Sequence, residues 1–226
     1  VSVACIVVAA GRGERLGEQR PKAFVEVGGR PLVWHALRAA SDATRVSHVV
    51  VVAPDGFAGD PALAGVAAVV PGGATRQHSV ANGLAALPDD TEIVLVHDAA
   101  RCLAPPALFD AVAGAVLSGH DAVVPGVPVV DTLKAVDGAG RVTATPDRTE
   151  LRAIQTPQGF RRAVLERAHL AAVERGDTDA PDDGALVERL GLPVHVVAGD
   201  ADAFKVTRPL DLLLAAAVLS RRSAAV

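Results

Sequence analysis

Two glycines and two cations follow directly on an apolar run over residues 3–10: Gly11 and Gly13, then Arg15 and Lys22. Glycine lets the backbone turn so that successive N–H groups face one point, which suits an anion, and the cations add charge for a phosphate. Two familiar glycine loops are excluded by spacing. A dinucleotide fingerprint needs G-x-G-x-x-G, and the third glycine, Gly17, comes one position late; a P-loop needs a lysine after its last glycine, where Glu18 stands. A second glycine-rich turn, PGGATRQHS over residues 71–79, opens a helix with Thr75 as N-cap, and that helix start could hold part of a nucleotide. His78 and Ser79 within it are no base and nucleophile, because helix neighbours point apart and no G-x-S-x-G surrounds them. Asp98 and Arg101 follow a further apolar run, at the strand end where open α/β sheets bind ligands. A carboxylate there could approach Mg²⁺, accept from substrate hydroxyls, cap its loop or pair with Arg101.

The basic residues carry their own signal. Of 22 lysines and arginines together, three are lysine, namely Lys22, Lys134 and Lys205. A lysine kept where arginine is the usual cation suggests a need for a compact ammonium on a flexible stem. Cys5 and Cys102 have no paired spacing and are expected to be unbridged, and no H-x-x-x-H or H-E-x-x-H offers a helical zinc site.

These residues need a scaffold, and composition bounds it. Half of the 226 residues are hydrophobic but only 3% aromatic, so the core is expected to be small aliphatic side chains between helices and a sheet. A net charge of −4 with no basic tail speaks against nucleic acid or an anionic membrane as main partner. No segment has the roughly 18 uninterrupted apolar residues of a spanning helix. These features predict a soluble cytoplasmic protein.

Residues 3–10, 49–53, 66–70 and 92–96 read as strands buried on both faces, alternating with helices from residue 32 and over 105–118. The pattern predicts an α/β fold: a Rossmann-like, mostly parallel sheet with helices on both faces, forming one domain over residues 1–226. A helix is expected over 160–175, an acidic loop over 177–183, a short helix to about residue 190 and a strand over 194–197. In the last helix, Leu210, Leu213, Leu214, Ala217 and Val218 are expected to share one packed stripe. The acidic loop imitates a calcium loop, but Pro181 and Asp182 stand at its fifth and sixth positions, where glycine is needed at the sixth.

Between these elements the pattern changes. Residues 129–136 and 141–145 flank the turn Asp137-Gly138-Ala139-Gly140, which predicts a hairpin arm over 129–151. Such an arm buries too little alone and is expected to pair with a second chain as the contact of a homodimer.

Taken in order, AAGRGERL, PKAF, PGGATRQHSV, VHDAAR, VPVVDTLK, RTELRAIQTPQGF and FKVTRPLDL resemble the 2-C-methyl-D-erythritol 4-phosphate cytidylyltransferases of the non-mevalonate isoprenoid pathway, over nearly the whole chain. Molybdenum-cofactor guanylyltransferases differ in carrying lysine directly after aspartate. The resemblance implies transfer of CMP from CTP to methylerythritol phosphate with Mg²⁺, held mainly by the CTP phosphates with Asp98 a possible ligand. It further implies that Ala9, Ala10, Gly11 and Gly13 contact CTP, and that Gly73, Ala74 and Ser79 recognise cytosine. Arg15 and Lys22 grip the phosphates, while Asp98, Ala99, Arg101, Thr132, Arg148, Thr156 and Lys205 receive the acceptor, Thr132 and Arg148 from the partner's arm. Three positions depart from the family pattern: Val8 where proline is frequent, Ala74 where aspartate can occur, and Pro181-Asp182-Asp183-Gly184-Ala185 for T-D-D/E-A-S, which removes a threonine unless Thr178 replaces it. The rival readings are a cytidylyltransferase for a pentitol phosphate such as ribitol 5-phosphate, and a non-catalytic nucleotide-binding protein.

Overall fold

The computed structural model describes residues 1–11, 20–178 and 180–224. In chain order it runs through strand β1 (Ser2–Val8), a short hairpin of β2 (Glu26–Val27) and β3 (Arg30–Pro31), helix α1 (Leu32–Asp42), strands β4 (His48–Ala53) and β5 (Ala68–Pro71), helix α2 (Arg76–Ala85), strand β6 (Thr91–Asp98), helix α3 (Pro106–Leu117) and strand β7 (Ala122–Pro128). Then come the hairpin strands β8 (Ala135–Val136) and β9 (Val142–Ala144), strands β10 (Arg152–Ile154) and β11 (Gln158–Arg161), helices α4 (Arg162–Arg175) and α5 (Asp183–Glu188), strand β12 (His195–Ala198) and helix α6 (Pro209–Ala224).

One mixed sheet carries the molecule. β5, β4, β1 and β6 are parallel neighbours; β11 runs antiparallel between β6 and β7, β10 pairs with the far end of β7, and β12 pairs parallel with β7. Because β1 is covered on both faces, its alternate residues feed two cores. Cys5 and Val7 pack with α1 and α3 through Val33, Leu37, Phe109 and Val112, and Ala4 and Ile6 pack with α2, α4 and α5 through Val80, Leu84, Leu165 and Leu186. Burying side chains of this size contributes on the order of 1.5–3 kcal/mol each, and small aliphatics supply most of it. Cys5 and Cys102 are free and buried, and burial raises both thiols, Cys102 to about 12, so neither is a nucleophile at neutral pH.

Three expectations are corrected. Phe160 does not start a helix: it lies in β11, fully buried and level with Val94, and α4 begins at Arg162. Gln158, Gly159 and Phe160 are all buried and only Arg161 is exposed, so a run of four residues carries no period of its own. The edge strand β5 ends on Pro71 instead of stopping before it, a position where proline's missing N–H costs no ladder bond. In α6 the buried face holds Ala215 and Val218, with Leu212 and Leu219 half-buried, while Leu210, Leu213 and Leu214 are 72%, 69% and 51% exposed. The leucine-rich stripe thus faces outward, about one residue position round from the packed one.

The hairpin β8–β9 exists as expected, with Ala135 opposite Ala144 and Val136 opposite Val142, though its strands are shorter than the runs that predict it. Asp137 closes its turn by accepting from the N–H groups of Ala139 and Arg141. Apart from Asp137, residues 130–150 are all exposed, Val130 at 84%. Among the described residues no helix is long and apolar enough to cross a membrane.

Candidate active site

The carboxyl ends of β1, β4 and β6 meet at one edge, where Val8 is level with both Val52 and Asp98. Three loops leave that edge and are stitched to it by backbone bonds: Ala9 N–H to Val52 O (2.8 Å), Gly72 N–H to Ala53 O (2.9 Å) and Ala99 N–H to Val8 O (3.1 Å). The glycines permit this close approach. A Cβ on Gly72 would lie 2.3 Å from the Cβ of Ala10, and one on Gly73 would lie 2.3 Å from the Cβ of His78. Thr75 caps α2 as the sequence predicts, accepting from His78 N–H. Ser79 Oγ accepts from Gly73 N–H and donates to Thr75 O, both at 3.0 Å, so its hydroxyl holds the turn in shape.

These loops enclose a cleft of about 560 Å³. Ala9, Ala10, Gly11 and Lys22 line it from the first turn, Gly73, Ala74 and Ser79 from the second, and Asp98, Ala99 and Lys205 from the β6 side. That is a concave site of ligand size, set at the carboxyl edge of the parallel strands and lined by the charged side chains of Lys22, Arg76, Asp98 and Lys205. Gly13 and Arg15 lie outside the described residues.

Asp98 carries the electrostatics. It does not pair with Arg101; Oδ1 accepts from Arg76 Nε (3.2 Å) and Oδ2 from Lys205 Nζ (2.6 Å). Burial pushes its carboxyl up, but Arg76 and Lys205 outweigh burial and hold it well below the usual carboxylate range. Arg76 reaches further, giving Nη1 to Asp183 Oδ2 at 2.7 Å, while Asp183 Oδ1 meets His169 Nε2 at 3.0 Å. Asp183 is 1% exposed and is likewise held low, burial being outweighed by Arg76 and His169. Arg76 and His169 are absent from the site residues that the sequence points to, and Asp183 enters there only as part of the altered segment 181–185. Arg76 stands inside the second glycine-rich stretch, but its partners are 22 and 107 positions away, a distance no motif spans.

A smaller recess of about 130 Å³ opens beside the cleft, shared by Arg76, Asp98 and Lys205 and lined also by Arg101, Thr156, Gln158 and Asp182. Arg101 is a fastener here: its two terminal nitrogens donate to Ala203 O and Ile154 O, each at 2.9 Å. Thr156 Oγ1 accepts from the N–H of Asp98 (3.0 Å) and lies 3.1 Å from Nδ1 of the buried His97. Gln155 grips Asp200 at both its N–H and its carbonyl, and Arg221 and Arg222 hold Asp202. The loop bearing Lys205 is therefore pinned from three elements. The altered segment 181–185 is no open substrate loop: Asp182 caps α5 through Ala185 N–H and is bound by Gln158 Nε2. Thr178 is exposed and lines neither cavity.

Thr132 and Arg148 stand apart from the cleft. Both are exposed on the arm, where Arg148 donates to Val130 O and Lys134 to Thr145 Oγ1. Asp98 is the one carboxylate among the described residues that lines the cleft, and among them no three His, Cys, Asp or Glu side chains gather to hold a metal ion.

The family model described as 2-C-methyl-D-erythritol 4-phosphate cytidylyltransferase matches residues 3–221. A protein of that name from Nocardia farcinica is 53% identical over 228 residues, covering 99% of this chain and 96% of the relative. Its namesake from Frankia casuarinae is 53% identical over 221 residues, 97% of this chain and 82% of its own. Among solved structures, the cytidylyltransferase of the same name from Thermus thermophilus superposes with a TM-score of 0.81 at 42% identity, covering 96% of this chain and 98% of that one. The 4-diphosphocytidyl-2C-methyl-D-erythritol synthase from Anaerococcus prevotii gives 0.84 at 28% identity, covering 97% and 98%.

Proposed function

The chain belongs to the 2-C-methyl-D-erythritol 4-phosphate cytidylyltransferase family, and we propose that its cleft performs that reaction: CMP passes from CTP to 2-C-methyl-D-erythritol 4-phosphate, and pyrophosphate leaves. The observation that carries this reading is that Ala9, Ala10 and Gly11 after the first strand, the second glycine-rich turn, Lys22 and the Asp98–Lys205 pair line one cleft. A purely nucleotide-binding protein has no need of cations for a second phosphate beside those of the triphosphate.

In the proposed mechanism an oxygen of the acceptor phosphate attacks the α-phosphorus of CTP in line. The bond from that phosphorus to the bridging oxygen breaks, and the electron pair leaves with pyrophosphate, so no covalent enzyme intermediate forms. The chain's work is to hold two mutually repelling anions together and to meet charge that grows in the transition state. Lys22 and Arg15 are assigned to the triphosphate. Lys205 is assigned to the acceptor phosphate, with Arg148 supplied by a second copy of the chain. The backbone of Gly73 and Ala74 is assigned to the cytosine, since alanine offers no side-chain polar atom. Asp98 as the one lining carboxylate among the described residues suits a metal that the triphosphate itself carries; Mg²⁺ bound there would offset phosphate charge as a Lewis acid, with Asp98 the residue that would join in holding it.

We further propose a homodimer formed through the arm, supported by its nearly complete exposure and by Val130, Val136 and Val142 standing open on it. The reaction is assigned to the cytoplasm, since charged substrates made there do not cross an apolar membrane unaided. The test is pyrophosphate release from CTP and Mg²⁺ with methylerythritol phosphate against ribitol 5-phosphate. Selective turnover of the first is expected. Equal or faster turnover of the second overturns the acceptor, and no release with either overturns the enzyme reading.

A further inference from the structure

We propose that Arg76 is a positioning residue of this site: anchored behind by Asp183 and His169, its guanidinium orients Asp98 and, through Asp98, the ammonium of Lys205. The inference rests on the cytidylyltransferase reading for what Lys205 is positioned to do. Its geometry does not.

Asp98 gives one oxygen to each cation, Oδ1 to Arg76 and Oδ2 to Lys205. Its backbone N–H is taken by Thr156, so its torsion is set by the two cations. Lys205 is the most exposed member, with 42% of its side chain exposed against 27% for Arg76 and 11% for Asp98. Arg76 is the fixed one, because its second bond goes to a carboxylate that cannot turn. Asp183 is 1% exposed with both oxygens engaged, by Arg76 and by His169. Its neighbours are tied down as well: Gln158 accepts from Gly184 N–H and donates to Asp182. Arg76 Nη2 is buried with no hydrogen-bond partner, so two of three guanidinium nitrogens serve carboxylates on separate elements. The planar fork sets Nε and Nη1 at a fixed spacing toward the two carboxylates; a lysine ammonium keeps the charge but has a single donor nitrogen, so it loses that spacing.

Arg76→Lys keeps Asp183 compensated, which matters because an uncompensated buried carboxylate is strongly destabilising. It frees Asp98 Oδ1. Asp183→Asn removes the rear anchor and leaves Arg76 in place. In both variants kcat/KM for the acceptor phosphate is expected to fall about 10- to 100-fold, the scale of one charge-assisted hydrogen bond, while KM for CTP moves less than about threefold. The double variant should be no worse than the poorer single one, because both break the same chain of contacts. Near wild-type kinetics in Arg76→Lys, equal losses toward both substrates, or additive losses overturn the proposal.

A second readout needs no turnover. With lysine labelled at ¹³Cε, the Lys205 signal is expected to move in both variants while that of Lys134, on the arm, stays. An unmoved Lys205 signal overturns the positioning role even where activity changes. Wild-type turnover tests the reaction separately, so inactive wild type with a moved Lys205 signal refutes the enzyme reading and supports the geometry.

Discussion

His97 lies one residue before Asp98 with no exposed surface, its ring 4.8 Å from that of Phe109 and 3.1 Å from the hydroxyl of Thr156. Burial lowers its pKa from 6.5 to about 4; the Asp98 carboxylate pulls it partly back and Arg101 pushes it down again. The folded protein thus keeps a neutral imidazole in a range where the unfolded chain protonates it. The unfolded state binds more protons below its own pKa, so stability falls as pH drops through the window from 6.5 to 4. The full shift corresponds to about 3 kcal/mol, of which about 2 kcal/mol is lost between pH 7 and pH 5. Asp98 and Asp183 act lower. Their depressed values give stability that is complete above the unfolded carboxylate range and is lost only as pH falls below roughly 4. The check is urea unfolding of wild type and His97→Gln at pH 7, 6 and 5. The variant starts less stable, but wild type should lose about 2 kcal/mol more than the variant across that range. Parallel losses in the two proteins would falsify the assignment of a buried neutral His97.

Two further outcomes are expected. In Gly73→Ala the added methyl must displace His78, whose Cβ and carbonyl carbon lie 2.3 and 2.9 Å from its place, and strain of about 1–3 kcal/mol in the turn should raise KM for CTP about tenfold; an unchanged KM refutes close packing there. If the partner's arm completes each site, mixing inactive Lys22→Ala and Arg148→Ala chains makes half the dimers mixed with one intact site each, restoring about a quarter of wild-type activity; exchange of subunits without recovery refutes the shared site.

The centre of the sheet was legible because β1, β4 and β6 are buried on both faces and so read as nearly unbroken aliphatic runs between turn residues, as in 49–53 closed by Pro54. What escaped was structure whose cause lies elsewhere in the chain. β11 is four residues long, and what makes it a strand is the pair of open edges on β6 and β7 between which it fits. In α6 two overlapping apolar stripes were available, and the choice between them depends on β2 and the 102–103 segment, against which Val218 and Leu219 pack.

The candidate site divides the same way. Its floor is backbone, and backbone demands leave local marks: Gly72 and Gly73 are required by Ala10 and His78, and Thr75 caps the helix it precedes. Its charges leave no such mark. Lys205 could be picked out as one of three lysines, yet what fixes it is a carboxylate 107 positions earlier, itself held by Arg76 from a third element. Arg101 shows the reverse error, since a cation three residues from Asp98 invites an ion pair that the fold never makes. Its guanidinium instead ties the 203 and 154 segments by donating to their carbonyls, groups that cost about 1–3 kcal/mol each when buried and left unmet. A charged side chain beside a site is therefore assigned by what its surroundings leave unsatisfied, and spacing along the chain carries that information only where both groups belong to one turn.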